Sequence, residues 1–115
     1  MHQLQISARF PRIDPMHLAE FKIVAAELVA LACSEPGTLY FTVFLNAAET
    51  VGVVREVYVD SAAVLAHFAE SGGVLGRLIA LGGGVEIECF GAPSPALLAA
   101  GAALAPTVYT YVDGK

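Results

Sequence analysis

Glu56, Tyr58 and His67 carry the side chains in this 115-residue chain best suited to moving a proton, and they lie close together in sequence. An imidazole is a natural base for a phenolic or enolic proton near neutral pH. On a helical wheel His67 sits at the edge of the Val64, Leu65, Phe68 stripe, where one ring nitrogen can face a pocket and the other water. The same position suits a helix-flank histidine without a chemical role. Glu56 and Tyr58 share strand parity and project from one face with Val54. A carboxylate among apolar neighbours needs a partner, and Arg9, Arg55 and Tyr58 are the candidates. Glu56 could then orient a substrate with Tyr58, hold the His67 tautomer, or be a structural group bonded to a backbone amide or an arginine. Tyr40, Phe41, Phe44 and Phe10, with Phe68 on the following helix, could line a pocket for a flat ring, although core or interface packing accounts for the same residues.

These residues are positioned by a pattern of alternating strands and helices. Leu4, Ile6, Ala8 and Phe10 alternate with polar residues and predict a strand ended by Pro11. Asp14-Pro15 is a cap with proline in the first turn, and Leu18, Phe21, Ala25, Leu28 and Ala32 predict a helix from Pro15 to Cys33. Pro36-Gly37 stops it. A hairpin follows, with strands 38–45 and 53–59 around the turn at 46–52. Asp60 or Ser61 caps a helix bearing His67, which Gly72-Gly73 is expected to interrupt before a shorter helix at 74–81. A strand at 85–90, a Ser94-Pro95 helix to Leu104 and a last strand at 107–112 complete the order. The prediction is an α+β, ferredoxin-like βαββαβ domain over residues 1–92, with residues 93–115 as a helix-strand extension of the same domain. Because the strand at 38–45 is apolar on both faces, the bare sheet face is expected to meet its copy in a homodimer, a dimeric α/β-barrel.

Composition narrows the function classes. Apolar residues make up 57% and charged residues 15%, more apolar material than a domain of this size hides alone, which also favours an oligomer. A net charge of -5 with scattered basic residues argues against nucleic acid. The longest uncharged run, 89–112, is broken by three prolines, so no membrane span is predicted. Met1-His2-Gln3 leads directly into a strand pattern, so no signal peptide is expected and a cytoplasmic location follows by default. Cys33 and Cys89 read as buried free thiols, Glu86 and Glu88 as a solvated strand face, and Gly82-Gly83-Gly84 as a loop outside phosphate-binding context. No serine has nucleophile-elbow surroundings. No cofactor or metal motif is found.

The segments Glu35-Pro36-Gly37-Thr38-Leu39, Glu56-Val57-Tyr58-Val59-Asp60 and Ala62-Ala63-Val64-Leu65-Ala66-His67 resemble the antibiotic biosynthesis monooxygenase superfamily, including its quinol monooxygenase-like members. The resemblance spans about Leu4 to Phe90. It implies a dimeric α/β-barrel in which the positions of Tyr58 and His67 lie near a pocket between sheet and helices. Heme-degrading relatives use a Trp and a later His, and the absence of any Trp here argues against that branch. The implied activity is a cofactor-free monooxygenation of a quinol, polyphenol or similar aromatic molecule by dioxygen. Catalysis would fall to His67, Tyr58 and Glu56, and substrate contacts to Arg9, Tyr40, Phe41, Phe44 and Phe68. A non-catalytic small-molecule-binding dimer is the alternative.

Overall fold

The computed structural model describes residues 3–115; Met1 and His2, which open the chain ahead of the first strand, lie outside the described residues. The elements run β1 (Leu4–Phe10), a 3-10 turn (Pro15–His17), α1 (Leu18–Cys33), β2 (Thr38–Leu45), β3 (Gly52–Tyr58), α2 (Ser61–Leu81), β4 (Glu86–Phe90), α3 (Pro95–Gly101), a second 3-10 turn (Ala102–Leu104) and β5 (Thr107–Tyr109). The five strands form one sheet in the order β2-β3-β1-β4-β5. β1 is antiparallel to β3 and β4, and β2 to β3, which is the βαββαβ arrangement expected from the sequence. β5 joins parallel to β4, a pairing that needs the α3 crossover between them.

Alternation along the strands separates two faces. On the inner face, Leu4, Ile6, Ala8 and Phe10 of β1 and Val54, Glu56 and Tyr58 of β3 are buried beneath the helices. Two apolar clusters form there. One joins Phe10, Phe21, Leu28, Val54 and Leu78; the other joins Leu4, Ile6, Tyr58, Val64, Cys89 and Leu97. The caps read from the sequence are made: the Asp14, Asp60 and Ser94 side chains accept from the backbone N–H groups of Met16, Ala63 and Leu97.

Three local expectations are corrected. Helix α2 does not break at Gly72-Gly73 but runs unbroken for 21 residues. Both glycines are exposed with open space around them, so their cost of about 1 kcal/mol each in a helix is outweighed by burial of the opposite face through Val64, His67, Ser71 and Leu78. By length and composition alone this continuous helix could cross a membrane. Its packing on the sheet, with Glu70 and Arg77 outward, makes it a helix that covers the core. Cys33 is exposed rather than buried, because it ends α1 on the side away from Phe21, Val24 and Leu28. The last strand stops at Tyr109, after which the chain leaves the sheet.

Candidate active site

Glu56 lies opposite Ile6 and Phe41 in the sheet register, at the seam between the two apolar clusters. Its neighbour in parity, Tyr58, donates its hydroxyl to Glu56 Oε1 at 2.5 Å, so the partner that the carboxylate needs is Tyr58 and neither arginine. Burial raises the Glu56 carboxyl to about 7; the Tyr58 hydrogen bond pulls it down and the Glu35 charge adds to the rise. Burial, followed by the Glu56 charge, pushes the Tyr58 hydroxyl up, so it stays a donor at any ordinary pH.

His67 is only 2% exposed and so does not sit at a water-facing edge. The buried positions Val64, His67, Ser71 and Leu78 show that it lies mid-face on α2, a stripe displaced from the Val64, Leu65, Phe68 line. Its ring is flanked by Phe41, Tyr58 and Phe68, with centroids 5.2, 5.7 and 6.4 Å away. The Nδ1 atom lies 2.7 Å from Glu35 Oε1, and Nε2 lies 3.2 Å from Ser71 Oγ. The tautomer-holding role considered for Glu56 thus belongs to Glu35.

Glu35 reaches this place through its turn. Ser34 ends α1, Thr38 N–H donates to the Glu35 carbonyl, and Thr38 Oγ1 donates to Glu35 Oε1 at 2.8 Å. The turn can press against the start of α2 because Gly37 lacks a side chain: a Cβ there would lie 2.6 Å from the Ala63 Cβ. Glu35 Oε2 is buried without a partner among the described residues. In the sequence Glu35 stands only as part of a motif, with no chemical role legible, since loop side chains follow no periodicity. Ser71 lacks nucleophile-elbow surroundings in the sequence, yet its spacing four residues beyond His67 places both on one helix face.

Ser71 Oγ also donates to the His67 backbone carbonyl at 2.6 Å, a back-bond within the helix. Both ring nitrogens of His67 are thus engaged, Nδ1 by Glu35 and Nε2 by Ser71, and the carboxyl placed to accept a proton at the cavity is Glu56.

Between these residues lies a cavity of about 30 Å³, lined by Glu56, His67, Phe41, Phe68 and aliphatic side chains. That is room for one or two waters. The structure thus brings together His67, Tyr58, Glu56, Phe41 and Phe68. It does not bring Arg9, Tyr40 or Phe44 to them. Those three have the opposite strand parity and lie on the outer sheet face, where Arg9 pairs with Glu86 at 2.5 Å. Phe10 is in the core and also lines the cavity.

No protein-family model matches the chain, and no curated protein matches it at a significant level. Solved structures do. MupZ from Pseudomonas fluorescens superposes over 100% of this chain and 94% of its own, with 23% identity and a TM-score of 0.86. SnoaB, a cofactor-independent oxygenase from Streptomyces nogalater, covers 82% of this chain and 96% of its own, with 24% identity and a TM-score of 0.64. A protein of Caulobacter crescentus CB15, named for antibiotic biosynthesis monooxygenases, covers 76% of this chain and 87% of its own, with 27% identity and a TM-score of 0.62. The sheet order, the paired helices and these superpositions agree: the chain has the fold of the antibiotic biosynthesis monooxygenase-like proteins.

Proposed function

We propose that the chain is a cofactor-independent monooxygenase acting on a quinol, polyphenol or similar aromatic small molecule in the space between the sheet and α2. The observation that carries this reading is the Glu56 carboxyl, buried, bonded by Tyr58 and raised to about 7, where a general base works best near neutral pH. Glu56 takes the phenolic proton, and the electron-rich ring transfers electrons to dioxygen as a carbon–oxygen bond forms. The proton on Glu56 passes to the peroxide. Loss of hydroxide with the ring C–H proton, as water, leaves a carbonyl; one oxygen atom stays in the product. Tyr58 holds the Glu56 carboxyl by its hydroxyl, and His67, fixed by Glu35 and Ser71, presents its ring to the cavity wall and keeps the site in shape. This assigns the base to Glu56 instead of His67, which keeps a supporting role. Turnover requires the small cavity to widen.

A homodimer through the outer sheet face accompanies this reading. Tyr40, Phe44, Phe90 and Tyr109 are exposed on that face, and Phe90 stacks on Tyr109 at 5.3 Å. Arg55 and Glu88 flank Ser7 in one cross-strand row and have no ion-pair partner among the described residues, so a two-fold axis could pair them across the interface.

Oxygen uptake with a panel of quinols and polyphenols tests the activity. Glu56→Gln should lower it by about a hundredfold or more while the fold survives, and unchanged uptake overturns the assignment. Turnover without oxygen consumption would indicate proton transfer alone, with Glu56 as the base. Ring binding without turnover under air would indicate the non-catalytic binding dimer.

A further inference from the structure

A second cavity lies on the other side of Phe68. It measures about 40 Å³ and runs beneath the C-terminal segment, between Val64 and Phe68 of α2, Cys89 of β4, Leu97 and Gly101 of α3, and Val108 of β5. Its walls are almost wholly apolar. Gly101 is buried, yet a Cβ built on it would meet no atom within 4 Å, so the packing leaves real space at this point. Leu98 and Val108, both partly exposed to solvent, form its rim. At its inner end, Ile6, Phe68 and Ile87 line this cavity and the cavity holding Glu56 and His67 alike.

We infer that this second cavity is a channel for an unbranched aliphatic arm of the substrate, which extends from a polar head held at Glu56 and His67, past Phe68, toward the rim. The identity of that head rests on the function proposed above; the channel itself rests on the cavity. Its shape selects the class of ligand. An apolar cavity that binds benzene measures about 150 Å³, several times this one, so at its present width the channel suits a narrow chain better than a ring. The lining is aliphatic apart from Phe68, Gly101 and Cys89, whose thiol is only a weak hydrogen-bonding group, so a polar arm finds little to bind there.

The test is calorimetric binding of a 4-n-alkylphenol series, from methyl to heptyl, carried out without oxygen. Each added methylene should tighten binding by about fourfold, the equivalent of about 0.8 kcal/mol, until the channel is full. Gly101→Val should flatten the series while leaving 4-methylphenol binding unchanged. Leu98→Asp, at the exposed rim where folding is not at stake, should weaken only the longer members. A flat series in the native protein, or both variants retaining the full slope, overturns the channel. The two readings fail separately. A steep series with no oxygen uptake by any member rejects the monooxygenase and keeps the channel; uptake with a flat series does the reverse.

Discussion

The two faces of the sheet use similar residues to opposite ends. On the outer face Arg9 and Glu86 meet at 2.5 Å with both side chains roughly half exposed. On the inner side His67 and Glu35 meet at 2.7 Å with both almost fully buried. Water screens the first pair, whose worth is at most about 1 kcal/mol. The second has given up its hydration, so removing either partner strands the other in an apolar interior. Distance is nearly the same; burial decides the consequence. Adjacent residues show it as sharply, for Arg55 is exposed and Glu56 is a buried acid.

Substitutions can break this contrast, and the largest effect should come from Glu35→Ala. It leaves the buried His67 ring and the Thr38 hydroxyl without their carboxyl partner and should cost about 3 kcal/mol or more in urea unfolding. Next is the pH dependence due to Glu56. Its carboxyl is raised from 4.5 to about 7 in the folded protein, which therefore holds the proton more tightly than the unfolded chain. The stabilisation is fully present below pH 4.5 and is lost as pH rises through 7, by up to about 3 kcal/mol. Glu56→Gln should flatten that slope in unfolding curves measured across the window. Phe44→Asp, on the outer face, should shift sedimentation from dimer to monomer while changing secondary structure little. Glu86→Ala should move stability by no more than about 0.5 kcal/mol, and salt should erase even that. An outer-face effect as large as that of Glu35→Ala would remove the distinction between the faces.

Much of this contrast could be read from residue order. The hairpin, the caps and the period-two parity that places Glu56 and Tyr58 together are local properties, and the structure retains them. Parity also carried a warning in Tyr40, Phe41 and Phe44: the first and last cannot share a pocket with the middle one on a regular strand. Arg9 is excluded from the site for the same reason. Glu35 was illegible because its position depends on how closely the turn at Gly37 approaches Ala63, a tertiary contact with no sequence period. The continuity of α2 was illegible because glycine propensity is local, whereas the burial that overrides it is not. His67 moved from edge to centre once α2 continued, since the stripe is defined by the whole helix.

Gly72, Gly73 and Gly76 follow Ser71 along the outward side of the helix that holds His67. Each weakens the helix by about 1 kcal/mol relative to alanine. The amides of that central stretch should therefore exchange with solvent deuterium sooner than those of the first turns near Val64, the reverse of a helix that frays from its ends. Local opening at mid-helix would loosen the wall carrying Ser71 and His67 without dismantling the sheet. A closed site with a weak place in its own covering helix can admit a guest through brief, partial unfolding and needs no permanent doorway.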